Sequence, residues 1–153
     1  MASTTFSGPV TSTNGFIGNI TGNLTGNIAG TAEITHATTA AINATATATA
    51  AQVATGYITS TSAAVTTITL PTGTLLGAAL GAVRGTVFDL YVDNTAGASV
   101  VTIAVATNGI LSSAAADTPG SFGDLTIAAG ATGIARFTLM FASATAYTFS
   151  RTA

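Results

Sequence analysis

Residues 18–30 read GNITGNLTGNIAG, a four-residue period that sets Ile20, Leu24 and Ile28 at every fourth position between Gly18, Gly22, Gly26 and Gly30. In an extended chain successive side chains alternate between faces. Gly18, Ile20, Gly22, Leu24, Gly26 and Ile28 then share one face, while Asn19, Thr21, Asn23, Thr25 and Asn27 share the other. A helix over the same thirteen residues would hold four glycines, each costing about 0.5–1 kcal/mol relative to alanine. The segment is expected to be extended. A lone strand cannot bury three large apolar side chains against itself, and a short repeat closes its core only with neighbouring copies. Identical chains are the expected neighbours.

The rest of the composition fits an assembly part. Charged residues make up 5 % of the chain and lysine is absent, against about 25 % in an ordinary globular domain. With 48 % hydrophobic residues and a net charge of -2, the chain is not a charge-rich disordered one. Alanine and threonine supply 32 residues each, small side chains that lose little rotamer freedom on burial. Glu33 is the one charge in residues 1–83, and the other seven follow. This shift divides the chain into an extended N-terminal arm, residues 1–63, and a compact unit, residues 64–153, long enough for a small core of its own.

From Ala64 onward, short alternating segments are separated by Gly, Asn, Pro and Ser clusters, the pattern of an all-β domain. Strands are expected at 65–70, 86–92, 99–106, 125–128, 133–142 and 146–151, packed as a small antiparallel β-sandwich. Phe88, Leu90 and Val92 share the core face of one strand, opposite Val87, Asp89, Tyr91 and Asp93. Phe137, Leu139 and Phe141 share another core face, and Tyr147 and Phe149 follow the 143–145 turn. The Ala/Thr-rich stretch 31–61 has no strongly apolar face and is expected to be extended within the arm.

Several function classes are poorly served. Without cysteine there is neither a disulfide nor a thiolate metal site. His36 is the sole histidine, so two imidazoles cannot share a metal or a proton, and it reads as a structural or surface residue of the arm. No G-x-S-x-G elbow accompanies it. Asp89 and Asp93 share a strand face about 13 Å apart, wider than the carboxylate pairs of glycosidases. Asp117 and Asp124 flank a Pro-Gly turn. Either pair with backbone carbonyls is a conceivable Ca²⁺ ligand set, but a solvated rim is the expected role, and no metal or cofactor is expected. Three arginines at net -2 do not make a phosphate-binding patch, so no nucleic-acid partner is expected. The start MASTTFSGPV has neither a basic nor an apolar signal region. The longest apolar stretch, 75–83, is far below the roughly 20 residues that span a bilayer, so no membrane partner is expected and it reads as a short helical turn or loop between strands. The sequons at Asn19, Asn23 and Asn43 mostly restate the repeat.

The string SGPVTSTNGFIGNITGNLTGN, followed by an Ala/Thr-rich stretch and then by TVFDLYVDNTAGASVVTIAV and TGIARFTLMFASATAYTFSR, resembles small virion surface proteins of tailed bacteriophages: capsid decoration (cement) proteins and head or tail fibre proteins. The resemblance implies a noncatalytic homotrimer on the outer capsid surface, made in the host cytoplasm, with the major capsid protein as its partner. Phe6, Phe16, Ile20, Leu24 and Ile28 are the candidate interface residues, with glycines at alternate inward sites letting three backbones approach. A chain of 153 residues with so few repeats makes a shaft of a few tens of Å. That favours a decoration protein over the alternative, a short head or tail fibre or a host-glycan-binding protein.

Overall fold

The computed structural model describes His36, residues 38–111 and residues 125–152, all within one compact unit that begins at Thr35. In chain order its elements are β1 (Ala40–Ala41), β2 (Ala46–Thr47), α1 (Ala50–Ala54), β3 (Tyr57–Thr59), β4 (Thr66–Thr69), α2 (Gly73–Leu80), β5 (Val87–Asp93), β6 (Val101–Ala104), β7 (Gly109–Leu111), β8 (Thr126–Ile127), β9 (Ile134–Ser143) and β10 (Ala146–Arg151). The strands form a six-stranded sheet ordered β1-β3-β5-β9-β10-β7 and a four-stranded sheet ordered β2-β4-β6-β8.

Successive strands alternate between the two sheets, so the first half of the unit is a coil. Each rung gives one strand to each sheet: β1 with β2, β3 with β4, β5 with β6, stacked in parallel. Parallel neighbours need a long crossover, and here the opposite sheet's strand supplies it, with α1 and α2 added in the first two rungs. Register brings Ala40, Ile58, Val92 and Ala135 into one row across the six-stranded sheet, and all four are buried. The turns stack as well. Asn43 Oδ1 accepts the Thr61 N–H at 2.9 Å, Thr45 Oγ1 accepts the Thr67 N–H at 3.1 Å, and Ser62 O accepts the Ala98 N–H at 3.0 Å. The Asn43 sequon thus has a structural use on both of its polar side chains.

An antiparallel sandwich is therefore corrected to two mixed sheets. The six-stranded sheet is antiparallel only where β9 meets β5 and β10, and the four-stranded sheet only where β8 meets β6. Side-chain alternation is the same in parallel and antiparallel strands, so it carries no direction. The Ala/Thr-rich stretch also departs from the expected arm, because residues 40–59 contribute β1, β2 and β3 to both sheets. Two-residue strands of Ala and Thr have too little periodicity to stand out. Phe6, Phe16, Ile20, Leu24 and Ile28 lie outside the described residues.

The helices are short and held by caps and contacts. In α1 the Thr49 hydroxyl accepts the Gln52 N–H at 3.2 Å while Gln52 Oε1 accepts the Thr49 N–H at 2.9 Å, a capping box, and Val53 is buried. In α2 the Thr72 hydroxyl accepts the Leu75 N–H at 3.3 Å, and Gly81 ends the helix at φ +59°, where glycine has no Cβ penalty. A Cβ on Gly77 would collide with the Ala144 carbonyl, so α2 lies directly on the β9–β10 turn. Of the helical turn or loop expected over residues 75–83, the structure has the helix, α2, which begins earlier and ends at Leu80. At the third turn of the coil, buried Asn94 donates through Nδ2 to Ser99 O at 2.9 Å and Ala128 O at 3.0 Å, tying the β5–β6 corner to β8.

The core follows the expected phase. Leu90, Val92, Phe137, Leu139, Phe141, Tyr147 and Phe149 are buried together with Ile68 and Ile103 of the other sheet and with Leu70, just past β4. Phe88 is partly buried against them. Phe137 and Phe149 stack at 4.9 Å and 15°.

Candidate functional site

The opposite, outward face of β5 carries Val87, Asp89, Tyr91 and Asp93, and register fixes what lies beside them. Tyr91 is flanked by Tyr57 on β3 and Arg136 on β9, while Asp89 faces Thr138. Of the charged residues among those described, three gather here: Asp89, Asp93 and Arg136.

Each carboxylate is held by more than one donor. Asp89 accepts from Arg136 Nη2 at 2.6 Å and from Thr138 Oγ1 at 2.7 Å. Burial pulls its pKa upward as the largest single influence, but the Arg136 and Thr138 hydrogen bonds together with the Arg136 charge outweigh it and hold the carboxyl below its usual range. Asp93 accepts the Thr95 hydroxyl at 2.6 Å and the Thr95 N–H at 2.9 Å on Oδ1, and the Tyr57 hydroxyl at 3.0 Å on Oδ2. Those bonds, the Thr95 hydroxyl first, lower its pKa. Tyr57 moves the other way, raised by burial and then by the adjacent carboxylate.

Three rings complete the patch. Tyr57 and Tyr91 lie nearly parallel, centroids 6.3 Å apart at 19°. His36 tilts against both at 5.8 Å and 5.6 Å, and its Nδ1 bonds the Thr55 carbonyl at 2.9 Å, which places the proton on Nδ1 because a carbonyl only accepts. The imidazole rests on Gly56, whose φ is +75° and where a Cβ would come within 2.5 Å of His36 Cε1. On the far side the Arg136 guanidinium carbon stands 6.0 Å from the Tyr91 centroid, within cation–π range. The row His36, Tyr57, Tyr91, Arg136 therefore runs across the sheet, bordered by fixed carboxylates.

Asp89 and Asp93 do share a strand face, as alternation implies, but they do not converge. Among the described residues no three His, Cys, Asp or Glu side chains gather to hold a metal ion, and no helix is long and apolar enough to cross a membrane. Asp117 and Asp124 lie outside the described residues. His36 belongs to the compact unit rather than to an arm, half-buried against two tyrosines. Alternation on β5 could have exposed Tyr91 as a partner of Asp89 and Asp93; Tyr57 carries no such signal, because its place depends on the β3–β5 register.

Comparison of the chain with protein-family models, with curated proteins and with solved structures finds no match in any of the three.

Proposed function

We propose that the chain is a noncatalytic structural protein of a tailed-bacteriophage virion: a homotrimeric decoration protein on the outer capsid surface that holds the major capsid protein and stabilises the head. The observation that carries this reading is the GNxTGNxT repeat, whose Ile20, Leu24 and Ile28 stripe needs partners, in a chain with eight charged residues of 153. Each of those side chains, once fully buried, contributes about 1.5–3 kcal/mol, and closed symmetry is the usual outcome for identical copies. Phe6 and Phe16 extend the same apolar interface. A short head or tail fibre is the second reading. The stacked rungs support it, because repeating one geometry along an axis is how a shaft lengthens.

The experiment is to incubate purified phage heads lacking decoration with the full-length protein and to locate it by cryo-electron microscopy. Trimers at repeated lattice positions over the shell support a decoration protein. A few copies confined to one vertex support a head fibre, and no association at any concentration contradicts both a decoration protein and a head fibre.

A further inference from the structure

We propose that Asn108–Gly109 is a self-modification site: once β7 comes off the sheet, the Asn108 side chain closes on the Gly109 nitrogen, sheds ammonia and opens to an isoaspartyl link. Shape sets the residue types at this step. Asn108 stands at φ +64°, a left-handed backbone that asparagine tolerates better than most side-chain-bearing residues. Gly109 lies opposite Tyr147 in register, and a Cβ on it would come within 2.7 Å of the Tyr147 hydroxyl oxygen. The turn therefore selects asparagine followed by glycine, the pair in which no side chain on the second residue shields its nitrogen from the asparagine amide carbon.

In the first step the Gly109 nitrogen gives up its proton and attacks Asn108 Cγ; the new N–Cγ bond forms, the Cγ–Nδ2 bond breaks and ammonia leaves. Water then adds to either carbonyl of the cyclic imide. Opening on one side gives aspartate, while opening on the other routes the main chain through the side chain and lengthens it by one methylene. The fold blocks the attack. It requires the Asn108–Gly109 peptide unit to turn about the Asn108 Cα–C bond, and that unit is held at both ends: its carbonyl accepts the Tyr147 N–H at 3.0 Å and its N–H donates to the Ala106 carbonyl at 3.0 Å. Asn108 is exposed, so access to water is not what withholds the reaction. Release is local. β7 is three residues long and ends the six-stranded sheet, with β10 as its one neighbour among the described strands, and such short edge elements open at lower free energy than the core. The extra methylene of an isoaspartyl link moves Gly109 out of register with Tyr147, which makes the opening permanent.

The site is independent of the assembly role, and its failure leaves the particle experiment untouched. Full-length protein is incubated at mildly alkaline pH in heavy-oxygen water, both native and in concentrated urea, and then digested with trypsin. Cleavage after Arg84 and Arg136 isolates the stretch that holds Asn108, and electron-transfer fragmentation tells the isoaspartyl from the aspartyl product. The native chain is expected to react at Asn108 at least about tenfold more slowly than the denatured one, with one labelled oxygen in the product. Urea too dilute to change the circular dichroism is expected to speed the reaction. In the recovered isoaspartyl chain, hydrogen exchange is expected to show protection lost over residues 109–111 and kept in β5 and β9. Asn108→Gly, which suits the same backbone, is expected to fold and to give no product in this stretch. Equal rates in the native and denatured chains, acceleration only together with global unfolding, or an isoaspartyl chain whose β7 stays protected overturns the proposal.

Discussion

The Tyr147 hydroxyl donates to the Pro71 carbonyl at 3.1 Å, across 76 residues of sequence, and so fastens the final hairpin to the turn that precedes α2. Burial pushes the Tyr147 phenol up to about 12. A folded pKa above the unfolded value of about 10 means that this contribution is full below about pH 10 and is lost as pH climbs toward 12. Urea midpoints measured from pH 9 upward should fall in the parent and fall less in Tyr147→Phe. At neutral pH the variant should lose about 1–3 kcal/mol, because the Pro71 carbonyl is left buried without its donor.

Phe137 and Phe149, stacked and fully buried, should each cost about 3–5 kcal/mol on replacement by alanine. Thr138 faces outward on the same strand and donates to Asp89. Thr138→Ala should cost about 0.5–1.5 kcal/mol, the net worth of one hydrogen bond. Thermal melting ranks the three, and phenylalanine variants that melt with the parent would refute the strand phase.

Acid should weaken the outer face of the sheet. Asp89 and Asp93 both titrate below their usual range in the folded chain. Their contribution is therefore present above the unfolded value of about 3.9 and is lost as pH falls through the lower folded values. Solvent screening keeps the effect small. Asp93→Asn should flatten the acid limb of a stability profile below about pH 4, and it should also soften the alkaline limb, because the carboxylate that helps raise the Tyr57 phenol is gone.

Gly56→Ala should be disproportionately damaging. At φ +75° a Cβ costs about 1–2 kcal/mol from backbone sterics alone, and it also strikes the His36 ring. Removing that ring with His36→Ala should recover the second part and not the first, giving a coupled double-mutant cycle. Strictly additive melting shifts would show that the ring does not rest on Gly56.

How far the fold is legible depends on strand length. The alternations Phe88-Leu90-Val92 and Phe137-Leu139-Phe141 run over strands of seven and ten residues and place the core on the observed face. β1, β2 and β3, of two or three residues, are too short for any period to show, so their membership of the sheets emerges only from the stacking of rungs. The same limit hides the candidate site. Asp89, Tyr91 and Asp93 can be assigned to one face by counting alternate residues, whereas Tyr57, Arg136 and His36 arrive from distant segments whose register no local pattern encodes.

Attachment to a partner through the nearly uncharged residues 1–30 should resist salt. Raising ionic strength from 0.1 M to 1 M shortens the Debye length from about 10 Å to about 3 Å, which strips a charge-held protein and leaves apolar contact intact. Decorated particles washed in 1 M salt should retain the full-length chain; release would shift the contact to the charged half.

That identical chains complete one another through residues 1–30 is tested most directly by mass. Light scattering at micromolar concentration is expected to give the full chain at three times its 14.8 kDa. The chain lacking residues 1–30 is expected to be a folded monomer with its β-rich circular dichroism preserved. A full chain that runs as a stable monomer, or a truncated chain that remains trimeric, would contradict it.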